Sequence, residues 1–409
     1  MENAALLTKL LAAPDDDAPR LDYARWLAAQ GDDERSEFIE VQCALARSER
    51  DFARADRQLV LREAHLRSRN KAVWTDHVSP WARRAWLHRG FVEQVWLDAR
   101  GFGESVRALR ALCPLRRVHL VTPRDRPATC FEDVATSGAA GRVDELDLSD
   151  VAIDDAAVST LLAAGSPVLD VRALTMSLRC LGSEGWARLA WAPFTALKRL
   201  ELTGSRLHLL RDARPDAGNL HRRLRTWLRS PQLRGLRELD VAWEPARAVL
   251  AMLTEDQCAV RLERLSLGCG LTDAEMAALV GSPTVSGLRT LVTGPGELGR
   301  PGFDALANAT FLSNLLKLVV RYNPTHDGDR PSAASPLLRS ARVASLRHLD
   351  LSGVPLGPDD VEALIANPTL AGLQRLVLAG CKLPRERQRA LRDRFGPGCC
   401  TFADAPSRL

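Results

Sequence analysis

The chain has 409 residues, of which 46% are hydrophobic and 26% are charged, and its formal net charge is +5. This composition is typical of a folded protein and excludes a largely disordered chain. A surplus of five charges over 51 acidic side chains does not favour nucleic acid or an anionic membrane as a partner. The length exceeds one ordinary compact domain, which favours a barrel or an array of repeats.

The nine cysteines are scattered, and only Cys399 and Cys400 are adjacent. No C-x-x-C and no Cys/His metal spacing occurs, so the sequence predicts no metal site and favours reduced thiols in cytosol. The apolar start AALLTKLLAA contains Lys9 and is followed by PDDD, which does not fit a signal peptide. No run approaches the ~18 apolar residues of a membrane span. We therefore expect a cytoplasmic protein with no membrane segment and no cofactor.

Residues 1–90 carry no repeat and read as helices. The expected helices are ENAALLTKLLAA, APRLDYARWLAAQG, SEFIEVQCALARSE and a long polar stretch over 47–70. The joint between the first two, APDDDAPRLDYARWL, could be a metal or acid–base site, but its position favours a helix joint. There we expect Asp17 to cap the second helix and Arg20 to pair locally with Asp16 or Asp17.

From residue 92 onward a short motif recurs. LERLSL (262–267), LRHLDL (346–351) and LQRLVL (373–378) all fit L-x-x-L-x-L. Looser or equal copies bring the total to eleven, and from 115 onward successive copies start 26 to 39 residues apart; the starts are 92, 115, 143, 171, 197, 236, 262, 288, 315, 346 and 373. This regularity predicts a leucine-rich repeat.

Alternation within the motif predicts a strand whose fourth and sixth positions face the core. A helix start with acidic residues follows, as in TDAEMAALV from Thr272, and a turn such as GSP or ANP leads back to the next strand. One unit cannot bury its apolar side alone, so stacked units share a core. The expected fold class is α/β: a leucine-rich-repeat solenoid with a curved parallel sheet on the concave side, helices on the convex side and an N-terminal helical cap domain.

The repeat length resembles that of ribonuclease-inhibitor-like leucine-rich repeats, and LLAAPDDDAPRLDYARWLAAQGDDERSEFIEVQCAL resembles the repeat-companion domain that precedes such repeats in many bacterial proteins. The resemblance implies a helical repeat-companion or cap domain over 1–90, a solenoid of about ten to eleven repeats over 91–398 and a C-terminal tail over 399–409. It implies a buried loop-ladder role for Asn323 and Cys381, and we expect the same of Cys180 and Cys269. Arg25 stands where the family pattern has an acidic residue.

No nucleotide-binding, esterase, zinc-protease or deaminase motif occurs, so we expect no catalytic residues. We expect a non-enzymatic protein–protein interaction scaffold that binds a protein partner. Positions three, five and seven of each repeat face the concave side, which makes that side the candidate binding surface, with an ordinary solvated face as the alternative. The candidate residues there are Trp96, Arg117, His119, Glu145, Asp147, Glu201, Glu238, Asp240, Arg264, Lys317, Arg321, His348 and Asp350.

Two copies break the period with insertions at 207–230 and 321–336. The first carries Arg222, Arg225 and Trp227 as candidate partner-binding residues, although the spacing of Leu224 and Trp227 favours an amphipathic helix. Two alternatives to the scaffold stay open: a regulator or effector of a signalling, protease or defence system, including GTPase-activator-like regulation, and nucleic-acid binding through 207–230. The identity of the partner and the oligomeric state are also open.

Overall fold

The computed structural model describes residues 2–52, 55–121, 131–177, 181–203, 217–254, 260–322, 334–396 and 398–402. By contact the chain divides into two units. Unit 1 comprises residues 1–50, 55–197 and 205–214, and unit 2 comprises residues 51–54, 198–204 and 215–409.

Unit 1 begins with four helices and continues with alternating strands and helices. Its helices are α1 Glu2–Ala12, α2 Ala18–Ala29, α3 Asp33–Arg50, α4 Arg57–Thr75, α5 Phe102–Leu112, α6 Phe131–Ala135, α7 Asp155–Leu161 and α8 Ser183–Trp191. Its strands are β1 Arg84–His88, β2 Phe91–Asp98, β3 Arg117–Val121, β4 Glu145–Leu148 and β5 Ala173–Ser177. The first three helices expected from the sequence are therefore confirmed, whereas the stretch 47–70 is divided between α3 and α4, with Asp56 capping α4.

The first two strands of unit 1 form a hairpin that sequence reasoning missed. β1 pairs antiparallel with β2, and His88 faces Phe91, which leaves Arg89 and Gly90 as a two-residue turn. Both turn residues have positive φ, 47° and 85°, as a type I′ turn requires. Gly90 also lies so close to Ile39 of α3 that a Cβ there would be 2.4 Å from its side chain. The dipeptide Arg-Gly between two apolar stretches was the available signal for this turn.

Unit 2 continues the alternation of strands and helices. Its strands are β6 Arg199–Thr203, β7 Glu238–Val241, β8 Arg264–Leu267, β9 Thr290–Gly296, β10 Lys317–Tyr322, β11 His348–Asp350, β12 Arg375–Val377 and β13 Cys400–Thr401. Its helices are α9 Ala217–Leu228, α10 Trp243–Leu253, α11 Asp273–Gly281, α12 Arg300–Asn308, α13 Ser335–Arg339, α14 Pro358–Ala366 and α15 Arg385–Phe395.

Strands β2 to β12 are the eleven copies of the repeat motif. In unit 1, β2 to β5 are parallel and adjacent in sequence order. In unit 2, β6 to β13 follow the same rule. The residues at positions one, four and six are buried in repeat after repeat, as with Leu236, Leu239 and Val241. The leucine-rich-repeat solenoid is thus confirmed, and its core lies between the sheet and the helices.

Several of the returning turns are short 3-10 helices whose entry residue carries a hydrogen-bonding side chain. Ser230, Ser282 and Asn367 each accept a hydrogen bond from the backbone two residues further on. Asn367 also donates to Leu338 O, at 2.7 Å, in the preceding repeat. The GSP and ANP tripeptides therefore hold neighbouring repeats together as well as reversing the chain.

Acidic residues in the first turn of a helix have a second role. Thr272 and Glu275 form a capping box on α11, as the sequence suggests. Asp273, one residue into that helix, instead accepts hydrogen bonds from the backbone of Gly299 (2.7 Å) and Gly302 (3.1 Å), at the start of the next helix, α12. Because Gly299 is the N-cap and has no side chain, the neighbouring repeat supplies the missing acceptor.

Some expectations about boundaries stay predictions. The helical domain over 1–90 and the tail over 399–409 stay predictions. The range 1–90 also contains strand β1, and the range 399–409 contains strand β13. Asn323 and Cys180 lie outside the described residues, whereas Cys269 and Cys381 are buried, and the Cys381 thiol donates to Leu351 O at 3.1 Å. Within the described part of the chain, no helix is long and apolar enough to cross a bilayer.

Candidate binding face

We call the sheet side that carries positions three and five of each repeat the strand face. Because side chains alternate along a strand, these positions point away from the buried leucines. Parallel pairing keeps equivalent positions side by side, so each position forms a row across neighbouring strands. The two units differ in what these rows contain.

In unit 1 the strand face is a network centred on one carboxylate. Asp147 Oδ2 accepts hydrogen bonds from Arg117 Nη2 at 2.8 Å and lies 2.9 Å from His119 Nδ1. Its Oδ1 accepts one from the backbone of Ser149 at 2.9 Å. The His119 ring stacks on Trp96, with ring centroids 4.2 Å apart and planes within 4°. Four of the predicted site residues are therefore brought together.

Burial and hydrogen bonding have opposite effects on the pKa of Asp147, whose side chain is only 6% exposed. Burial raises the pKa of this carboxyl, but the hydrogen bonds from His119 and Ser149 outweigh it and hold the pKa well below its usual range. Asp147 is thus a permanently charged centre that fixes Arg117 and His119. Asp147 is one of the residues predicted to face a partner, and its charge is paired within unit 1.

In unit 2 the first two strands carry an acidic group. Glu201 lies beside Asp240 across the β6–β7 register, and Arg199 lies beside Glu238. Burial and the nearby Glu201 raise the pKa of Asp240, against the opposing effects of Ser266, Arg264 and Arg199.

The later strands of unit 2 carry a basic group. Register places Lys317 beside His348, and His348 beside Arg375. Burial lowers the pKa of His348 to about 3, and the charges of Lys317 and Arg375 act in the same direction. The imidazole is therefore neutral near pH 7, and His348 is only 6% exposed, so it is not a solvated surface side chain.

Asp350 is the acidic residue of this region, and its carboxylate is paired with Arg321. Arg321 donates to Asp350 Oδ2 from Nε at 3.2 Å and from Nη2 at 3.1 Å. The backbone of Ser352 donates to Oδ1 at 3.0 Å. Asp350 is 4% exposed, so Arg321, which is exposed, presents the only accessible part of this pair.

The described part of the insertion at 207–230 contains helix α9, and the apolar side of this helix is buried in the core of unit 2. Leu224, Trp227 and Leu228 have no exposed area, whereas Arg222 and Arg225 are exposed. The amphipathic-helix interpretation is confirmed by these residues. Trp227 was included among the partner-binding candidates, and that assignment is wrong for its side chain because the indole is packed inside unit 2.

The acidic joint between α1 and α2 is a structural anchor. Arg89 Nη2 donates to Pro14 O at 2.7 Å, and its Nη1 donates to Asp15 O at 2.9 Å. Asp17 makes no side-chain cap on α2 but pairs with Arg89 at 3.3 Å and Arg50 at 2.5 Å. The expected Asp17 cap is therefore wrong, and Asp16 instead accepts from the backbone of Ala18. Among the described residues no group of His, Cys, Asp and Glu could hold a metal ion.

Arg20 has a partner far along the chain. Its guanidinium is fully buried and lies 2.7 Å from Glu93 Oε1, while Arg89 approaches the same oxygen at 2.9 Å. Burial raises the pKa of Glu93. The hydrogen bond from His88 and the charges of Arg20 and Arg89 lower it by more, so the pKa of Glu93 is below its usual value. The expected local pair of Arg20 with Asp16 or Asp17 is thus replaced by a buried pair with β2.

The registered strands and their inward leucines define the fold of a leucine-rich-repeat solenoid. Its sequence matches no family model, and no curated protein matches it. Similar solved structures include the yeast Rad7–Elc1 complex, with 13% identity, a TM-score of 0.42 and coverage of 95% of this chain and 93% of that one. An internalin from Listeria monocytogenes has 13% identity, a TM-score of 0.38 and coverage of 82% and 95%. Likenesses this distant assign no function to the chain.

Proposed function

We propose that the protein is a non-enzymatic scaffold that binds a partner protein through the strand face of its repeats. The observation that supports this most is the charge arrangement in unit 2, where charged side chains occupy the same positions on successive paired strands. Such positions are held by the backbone register, so a partner meets a surface that needs little ordering. Electrostatic complementarity on a surface of this kind gives specificity and a fast association rate.

The finer statements of the proposal rest on the sequence. We propose that the protein is bacterial and cytoplasmic, and that residues 1–90 are a repeat-companion domain. The quoted N-terminal motif and the helices α1 to α3 support this. The strand-face residues proposed for binding are chiefly Arg264 and Arg321, which are exposed, and Glu201 and Glu238, which are partly exposed, whereas Asp147 and Asp350 hold their neighbours in place.

Capture from a native lysate with paired charge reversals tests the proposal. One double variant is Glu201→Lys with Glu238→Lys, and the other is Arg264→Glu with Arg375→Glu. We expect at least one of them to reduce recovery of the main partner about tenfold or more, because rim charges control association. The matched control, Asp304→Lys with Glu362→Lys, changes exposed positions on helices α12 and α14 and should leave recovery unchanged. Equal recovery by the wild type and both strand-face variants contradicts the proposal.

A further inference from the structure

The basic group of unit 2 forms a regular row at position three of five successive strands. In order across β8 to β12 the row reads Arg264, Thr290, Lys317, His348 and Arg375. Adjacent strands lie roughly 4.8 Å apart, so the three cationic members recur at intervals of about 10 Å. The short or neutral side chains of Thr290 and His348 separate them. We call these five residues the basic row.

No described residue forms an ion pair with the cations of the row, although Glu238 lies beside Arg264 in the β7–β8 register. Arg264, Lys317 and Arg375 make no salt bridge and no side-chain hydrogen bond with any described residue. The carboxylate of this part of the face, Asp350, is chelated by Arg321. Lys317 is half-buried, and burial together with the charges of Arg264 and Arg375 lowers its pKa. The like charges therefore lie close enough to repel one another, and a bound anion would relieve that repulsion.

The histidine within the row is also incompletely satisfied. His348 is 94% buried, being 6% exposed, and its Nε2 has no hydrogen-bond partner among the described residues. A buried ring nitrogen without a partner is uncommon in native proteins. In the register His348 lies between Lys317 and Arg375, so a polar group bound by these two cations would lie next to it.

The setting favours a protein segment over a nucleic-acid strand. Beside the row, position five carries Ser266, Val292 and Val319, with Val292 partly exposed, so apolar contact is available next to the charges. Positions three and five of β8 to β12 carry no Phe, Tyr or Trp on which bases could stack, and stacking is a main source of single-strand affinity. Three cations over about 20 Å also form a short track compared with a nucleic-acid groove.

We infer that the basic row binds an acidic segment of the partner protein, one that carries carboxylates three residues apart in an extended, polyproline-II-like conformation. That conformation rises about 3.1 Å per residue with three residues per turn. Residues i, i+3 and i+6 then lie on one side at intervals of about 9.3 Å, which matches the spacing of Arg264, Lys317 and Arg375. This inference rests on the proposed function and specifies the chemistry of the partner.

A labelled peptide binding assay with the full-length protein tests the inference. The probe is acetyl-Glu-Pro-Ala-Glu-Pro-Ala-Glu-Pro-Ala-amide, measured by fluorescence anisotropy at low salt. We expect saturable binding that weakens as salt increases, because exposed charges are screened. Replacing all three glutamates of the peptide with glutamine should weaken binding at least about tenfold. A peptide with three contiguous glutamates should bind more weakly than the spaced probe.

Matched variants of the protein complete the test. Arg264→Glu with Arg375→Glu, both at exposed positions, should weaken binding of the spaced peptide at least about tenfold, and Lys317→Met should weaken it to a smaller extent. Arg339→Glu with Arg389→Glu changes the net charge equally on helices α13 and α15 and should leave binding unchanged. Circular dichroism of each variant separates loss of binding from loss of fold.

The inference is overturned if the glutamine peptide binds as tightly as the glutamate peptide, or if Arg339→Glu with Arg389→Glu weakens binding as much as Arg264→Glu with Arg375→Glu. It is also overturned if the contiguous peptide binds as well as the spaced one, or if a twelve-residue oligothymidylate binds more tightly than the spaced peptide. If the lysate partner depends on Glu201 and Glu238 but not on Arg264 and Arg375, the scaffold proposal stands and this inference fails. If the partner depends on neither pair, the scaffold proposal itself fails.

Discussion

The strand faces of the two units use the same repeat positions for different purposes. In unit 1, Arg117 and His119 both contact Asp147, so these charged groups are paired with one another within the face. In unit 2, Arg264, Lys317 and Arg375 stand in register without an ion pair to a described residue. A repeat position therefore does not by itself define a binding residue. What distinguishes the two faces is the pairing of the carboxylates: Asp147 pairs with Arg117 at position three, whereas Asp350 pairs with Arg321 and leaves the cations at position three without an ion pair to a described residue.

The largest expected effect is in unit 1, from Asp147→Asn. The substitution removes the charge that Arg117 and His119 face inside a buried network, so we expect the free energy of unfolding to fall by about 2–3 kcal/mol. Urea denaturation at pH 7 measures this. The matched control Asp144→Asn changes a more exposed carboxylate paired with Arg172 at 3.9 Å, and should cost less than about 1 kcal/mol. Equal costs would show that the unit 1 face is not a structural network.

Acidification should act on unit 2 through His348. Its folded pKa of about 3 is below the ordinary 6.5, so its contribution to stability is complete above pH 6.5 and is lost as the pH falls toward 3. Protonation is opposed by burial and by Lys317, Arg375 and Arg321, with Asp350 acting in the other direction. The free energy of unfolding should fall by about 1.4 kcal/mol per pH unit below pH 6.5, which amounts to about 2 kcal/mol at pH 5.

Denaturant melts from pH 7 to pH 4, compared between the wild type and His348→Asn, measure that contribution. The variant should lack this part of the pH dependence. A variant whose stability falls with pH as steeply as that of the wild type would contradict the neutral, buried histidine.

The smallest expected effect has the opposite sign and concerns Lys317→Met. Burial and the neighbouring arginines lower the pKa of Lys317, so its charged form destabilises the folded state until the pH rises through the folded pKa. Removing the charge at pH 7 should be neutral or should raise the free energy of unfolding by up to about 1 kcal/mol. The control Lys198→Met, at an exposed position of the same unit, should change little, and a loss above 1 kcal/mol in Lys317→Met would mean that the ammonium has a stabilising partner.

The sequence predicts the repeat frame well because its signal is local. The alternation of Leu265 and Leu267 fixes which side of β8 is buried, and a period of 26 to 28 residues fixes that the strands are parallel neighbours. From this frame the outward positions follow directly. The same frame correctly placed Cys381 in the core.

Other features depend on contacts between distant residues, and no pattern in one sequence reveals them. Arg20 is four residues from Asp16 but pairs with Glu93, seventy-three residues away, because the hairpin turn brings β2 to the helix joint. Asp273 suits the dipole of its own helix, yet it binds the start of the next one. The spacing of Leu224 and Trp227 favours an amphipathic helix, but only the packing of α9 shows that the Trp227 indole is buried.

The buried Arg20–Glu93–Arg89 group determines where the chain can be divided. A cut after residue 90 would keep both arginines with the N-terminal helices and remove Glu93, the carboxylate that pairs with the buried Arg20. Such an uncompensated buried charge costs about 3–5 kcal/mol, a large part of the stability of an ordinary domain. Helices α1 to α4 are therefore coupled to the first repeat strand, β2, through this buried group. We expect a graft of these helices onto another repeat array to keep the buried group only if the junction lies after Asp98.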